Sequence, residues 1–234
     1  MNAVFKRELK GYFISPIGYL VIGFYAAVYL ILFRGLLANA MPQISLFFSY
    51  AYIPTLFLMP ILTMRSFSEE RRQKTDQALF TAPVGLTGIV MGKFFAALAV
   101  FALAQIPTLP MILVFLGFGA SIDVVGLFCC LLGTFLLAGA LIAVGIFLSC
   151  LTDSQVLAAV GGIVVAVLLA TLDTLASIIN VDFISTIAEW ISFTGRFNTF
   201  TTGVLDYANL VFFLSFAAIF LFLTVRVQEK RRWS

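Results

Sequence analysis

Arg65-Ser-Phe-Ser-Glu-Glu-Arg-Arg-Gln-Lys-Thr-Asp-Gln-Ala-Leu-Phe-Thr-Ala-Pro83, continuing to Gly92-Lys93, is a polar island between two long apolar runs. Its surroundings decide the fold. Of 234 residues, 62% are hydrophobic and only 11% are charged, where a soluble globular chain carries roughly 25% charged residues. Such a chain cannot cover itself with a polar surface, and its mean hydropathy of +1.10 assigns it to the polytopic membrane proteins.

Outward from the island, the apolar runs read as six spans at about 17–38, 45–64, 94–117, 124–150, 156–179 and 207–225. Pro54 and Pro60 fall inside the second span, and Pro107 and Pro110 interrupt the third. Residues 2–14 place Val4, Phe5, Leu9, Tyr12 and Phe13 on one helical face and Lys6, Arg7 and Lys10 on the other, the pattern of a helix lying in the membrane interface. The same cations also suit simple anchoring of the first span. Ser15-Pro16 stops this helix. Between the fifth and sixth spans, Phe183, Ile184, Ile187 and Ile191 recur at helical spacing opposite Asp182, Ser185 and Glu189. This predicts a short amphipathic helix dipping into the outer leaflet, with a loop packed on the bundle as the alternative. The expected fold is therefore all-α and polytopic: one domain over 1–234, six transmembrane helices, an N-terminal interfacial helix, an outer amphipathic helix, and a coupling segment at 65–93. No cleavable signal peptide is expected.

The basic residues set the expected orientation. With the N-terminus inside and six crossings, every Lys and Arg except Arg34 and Arg196 faces the cytoplasm, as the positive-inside rule requires. Arg34 and Asp173 lie within spans, each roughly 25 Å from the cytoplasmic side at 1.5 Å per residue. Charges at that depth call for a partner or a polar cavity. Either the two form an ion pair or each reaches the outer interface separately.

The chemistry is mostly one of exclusion. The chain has no His, which removes His-dependent triads, metal ligands and proton relays. Cys129, Cys130 and Cys150 make no metal motif. Gly92-Lys93 invites a P-loop reading, but that loop needs Gly at the position held by Thr87 and Ser or Thr at the position held by Phe94. The island itself offers Ser66 and Glu69 as a capping box, charge pairs at helical spacing among Glu69, Glu70, Arg71, Arg72, Lys74 and Asp76, an apolar tip at Ala78, Leu79 and Phe80, and a stop at Pro83. Thr87 stands where a cap for the third span is wanted. These residues suit a folded docking hairpin and equally a solvated loop.

The arrangement Glu69-Glu70-Arg71-Arg72-x-x-Thr75-Asp76-x-x-Leu79-x-Thr81-x-Pro83-Val84, then Gly92-Lys93, resembles the coupling region of type-2 ABC export permeases. Gly203-Val-Leu-Asp206 before the last span and the closing Arg231-Arg232-Trp233 are similar to the gliding-motility-associated branch. The likeness extends over the whole layout, with one departure: family members often carry Gly where this chain has Lys74. The resemblance implies a transmembrane permease subunit of a bacterial cytoplasmic membrane, both termini cytoplasmic, and no enzyme activity or cofactor of its own. ATP and Mg would belong to a partner ABC ATP-binding subunit, gripping the coupling residues Glu69, Glu70, Arg71, Arg72, Thr75, Leu79, Phe80 and Pro83. Further implied partners are a second permease chain, identical or related, membrane lipid, and an outer-face auxiliary protein; no nucleic acid is implied.

Rival functions make different demands. A gradient-driven secondary transporter needs ionisable groups near the midplane, where this sequence has almost none. An intramembrane enzyme needs a catalytic set that the chain lacks. A mechanical anchor that passes ATPase motion to an outer partner without moving cargo has the same sequence requirements as a permease. The scarcity of polar groups in the spans favours a lipid-like or amphiphilic cargo over a sugar.

Overall fold

In lipid, a backbone must satisfy its own N–H and C=O groups, and the helix does so within a single segment. The computed structural model describes residues 2–39, 43–74, 85–117, 124–179 and 190–232, and these hold helices and no strand. In chain order they are α1 (Asn2–Ile14), α2 (Pro16–Ala38), α3 (Ile44–Thr63), α4 (Ser68–Arg72), α5 (Leu86–Ala104), α6 (Thr108–Gly117), α7 (Val124–Leu151), α8 (Gln155–Ile179), α9 (Phe193–Thr201) and α10 (Tyr207–Arg232). Six helical runs are long and apolar enough to cross a membrane: Pro16–Ala38, Ile44–Arg72, Leu86–Phe115, Val124–Leu151, Gln155–Thr174 and Tyr207–Arg231. The protein is an all-α polytopic membrane protein.

Local chemistry sets most boundaries. Ser15 accepts a hydrogen bond from Ile17 N (3.3 Å) and Pro16 takes the first turn of α2, where its missing N–H costs nothing. Pro107 breaks the third span between α5 and α6. The break is bridged by Thr108, whose N and Oγ1 both donate to Gln105 O at 3.0 and 2.7 Å. Pro110 falls in the first turn of α6, where no intrahelical N–H is required.

Two helices run further than hydropathy suggests. The third span begins at Leu86 rather than 94, because Lys93 is buried and paired and does not mark an end. Its cap is Gly85, with no side-chain bond from Thr87. The last helix continues through the basic tail to Arg232, supported by an Arg226–Glu229 pair one turn apart. The sequence-predicted amphipathic helix falls largely on residues 182–189, outside the described residues. The helix described in this region is the next one, α9. Its Phe193, Phe197 and Phe200 are buried, and it packs against α3, α7 and α8.

The core forms around α7, which packs on α3, α5, α8, α9 and α10. Small residues permit the close approach. Pro60 of α3 wedges between Gly145 of α7 and Gly162 of α8; a Cβ at Gly162 would lie 2.6 Å from Pro60 Cβ, and one at Gly145 would strike Thr63 Oγ1. Gly133 of α7 admits Phe200, which a Cβ there would meet at 2.5 Å.

Candidate functional site

At the end of the bundle that carries α1, residues 65–74 of the polar island fold back onto the helices. A helix N-terminus leaves N–H groups that need acceptors. The expected capping box does not form: α4 starts at Ser68 rather than Ser66, and its N-cap, Phe67, makes no side-chain cap bond. The acceptor comes from α7 instead. Ser149 Oγ accepts from Phe67 N (3.0 Å) and Ser68 N (3.1 Å) and donates to Met64 O at 3.0 Å. Ser68 Oγ also donates to Met64 O. One buried hydroxyl thus joins the end of the second span, the start of α4, and the fourth span.

Beside this cap, Lys93 of α5 is 2% exposed. A buried ammonium is tolerated only with partners, and Lys93 has four. Its Nζ lies 2.9 Å from Glu70 Oε1, 3.1 Å from Glu8 Oε1 and 2.6 Å from Ser66 O. The ring of Phe67 sits beneath it at 4.8 Å. Arg7 Nη2 closes the group, 2.8 Å from both Glu8 Oε1 and Glu70 Oε1. Gly92 makes the approach of α1 close: a Cβ there would lie 3.0 Å from Val4 Cγ1. Gly92-Lys93 therefore serves as the seat on which α1 and α4 meet α5.

Two further charges of α4, Glu69 and Arg71, are engaged as well. Arg65 grips Glu69 through two bonds, Nε–Oε2 at 2.5 Å and Nη2–Oε1 at 2.7 Å. Arg71 donates to Leu151 O at 3.0 Å and pairs with Asp153, tying α4 to the turn between α7 and α8. Of the predicted coupling residues, Glu69, Glu70 and Arg71 face inward contacts and Arg72 is exposed. Thr75, Leu79, Phe80 and Pro83 lie outside the described residues. Lys74, the position where the family pattern departs, has φ 55°, the left-handed region that glycine adopts without strain.

The Arg34–Asp173 pair does not form. Asp173 accepts a hydrogen bond from Ser192, the N-cap of α9, which in turn accepts from Gly195 N at 2.9 Å. Arg34 is exposed on α2, which packs on α1, α3 and α5. Equal depth along two spans does not make them neighbours.

Ser149, Glu8 and Arg7 are the site residues that sequence reasoning missed, and Lys93 was read as part of the coupling segment without its partners. Glu8 carried a usable signal, being the one acidic residue before Glu69 and sitting on an otherwise basic helix. Ser149 carried none. Among the described residues no three His, Cys, Asp or Glu side chains gather as a metal site would require.

Compared with protein-family models and with curated proteins, the sequence matches none. Fold and site together define a class: a multi-pass α-helical membrane protein with a short polar helix clamped across one end of its bundle.

Proposed function

We propose that the chain is the transmembrane permease subunit of a type-2 ABC exporter, converting ATP hydrolysis by a separate ATP-binding subunit into movement of the membrane body. The observation that carries this reading is the fixing of α4. It is tied to α5 and α1 through Glu70–Lys93–Glu8, and through Ser149 to α7 and to Met64 at the end of α3. A force on a loosely tethered loop is lost in the loop, whereas a force on a helix clamped to its neighbours moves them. On this reading the ATPase contacts Arg72, exposed at the end of α4, with Leu79 and Phe80 as apolar anchors.

On this reading ATP and Mg bind in the partner, a second permease chain completes the membrane body, and the basic end faces the cytoplasm. The test is co-purification with a candidate ATP-binding subunit. The combined substitution Arg72→Glu, Leu79→Asp and Phe80→Asp should abolish capture of the ATPase, and permease-dependent ATP hydrolysis, while the permease still inserts. Undiminished capture refutes the docking role.

A further inference from the structure

A cleft of about 130 Å³ opens between α1 and the start of the polar island. Glu8 and Gly11 line one wall, and Arg65, Ser66 and Glu69 the other. Ser66 is only 5% exposed, and its Oγ is buried without a hydrogen-bond partner. The Tyr12 hydroxyl, which lines the same cleft, is its polar neighbour. A buried hydroxyl left unpaired costs free energy, so a group that bonds it on entering the cleft gains a contact the empty protein lacks.

The charges define the guest. Arg7 and Lys93 pair with Glu8 and Glu70 in one cluster, Arg65 pairs with Glu69 beside it, and the formal charges cancel in each. A guest of net charge would unbalance the cluster, whereas one carrying both signs would not. The walls offer a guanidinium and a hydroxyl for an anion, and two carboxylates for a cation. Position narrows the choice further. Ser15, which caps the first span, lines the same cleft, and Arg65 follows the end of the second. The opening is thus at the level where apolar spans give way to polar chain, the depth of lipid headgroups.

We infer that the cleft is a headgroup site for a phosphoethanolamine lipid, with the phosphate on Arg65 and Ser66 and the primary ammonium on Glu8 and Glu69. The inference does not rest on the transport reading and stands or falls apart from it. Such a lipid would stitch α1 to the island beside the Lys93 seat, with which the cleft shares Glu8 and Ser66.

The test uses the full chain in detergent micelles, with retained lipid counted by native mass spectrometry. Phosphatidylethanolamine and phosphatidylcholine of matched chains are offered together. The wild type should retain the ethanolamine lipid about tenfold over the trimethylated one, the factor set by losing charge-assisted N–H donors. Gly11→Leu fills the cleft from α1, where an added Cβ meets nothing within 4 Å, and should erase the preference with helicity and elution unchanged. Ser66→Ala should weaken retention of both lipids alike, and Glu69→Gln should narrow the preference between them. Free phosphoethanolamine, added as competitor, separates sources: displacement only at far higher concentration assigns the site to a lipid, and equal potency without acyl chains overturns that assignment. Equal retention of the two lipids by the wild type, or an undiminished preference in Gly11→Leu, overturns the site itself.

Discussion

Ser149→Ala tests whether α4 is mechanically part of the bundle. The substitution removes one hydroxyl at a fully buried position and leaves Phe67 N and Ser68 N without their acceptor. A buried donor left unsatisfied costs about 1–3 kcal/mol, and the loss of an N-cap typically about 1 kcal/mol. Met64 O keeps its bond from Ser68 Oγ, so the penalty is that of an unsatisfied donor plus the lost cap, about 2–4 kcal/mol together. The bonds fix α4 locally, so the cost appears as local opening rather than global unfolding. At 1.4 kcal/mol per factor of ten, opening of this segment should rise about 30- to 700-fold. Hydrogen–deuterium exchange of the protein in nanodiscs reads this directly in peptides covering residues 64–72, with α10 peptides as an internal reference. An exchange change below about threefold in that segment, or an equal change in α10, would refute the claim that Ser149 holds α4 to α7.

Lys93→Met removes the ammonium that joins α1, α4 and α5. It should destabilise the protein by about 3 kcal/mol, the lower end for breaking a buried ion pair, because Arg7 still accompanies both carboxylates; thermal unfolding in detergent measures it, with a parallel loss of protection in residues 2–14. Gly162→Ala drives a Cβ to 2.6 Å from Pro60 and should cost about 1–3 kcal/mol by overpacking, whereas Gly161→Ala, with nothing within 4 Å, should unfold at or slightly above the wild-type temperature. Lys74→Gly relieves a left-handed φ of 55° that costs an ordinary residue about 1–2 kcal/mol; after glycine's own entropy loss it should stabilise the island by about 0.5–1 kcal/mol, seen as slower exchange of the segment ending at that residue.

How far the fold could be read from the sequence depended on the range of the forces involved. The spans were legible because lipid solubility is a property of a whole run: Ile44–Thr63 and Gln155–Ile179 fall within a residue of where hydropathy sets them. The break at Pro107 was legible because proline acts on its own turn. Lys93 was misread as a boundary because one charge in an apolar helix looks like an end until its partners are known, and Glu8 is 85 positions away in sequence. The cap of α4 was misread for the same reason. Ser66 and Glu69 have the local pattern, but Ser149, 82 positions from Phe67, wins the contact. α9 lay between these cases. Phe193, Phe197 and Phe200 recur at helical spacing, yet a nine-residue helix escapes a criterion tuned to full spans, and its polar Thr194, Arg196 and Asn198 hide the stripe.

The inward engagement of α4 also limits what a partner can recognise there. Were Glu69, Glu70 and Arg71 the docking charges, the partner would have to break Arg65–Glu69, Lys93–Glu70 and Arg71–Asp153 before making contacts of its own. Exposed ion pairs return little, about 0–1 kcal/mol each, while the Lys93 pair is buried on its cation side and costs far more to open. On the proposed reading, recognition at this helix would therefore fall to Arg72, Gln73 and Lys74, all exposed. The inward charges have the complementary role of holding the helix still. Charge reversal should separate the two groups. At Arg72 it should weaken the proposed ATPase contact and leave the fold intact, whereas at Glu70 it should first loosen α1 from α5, whether or not any partner is present.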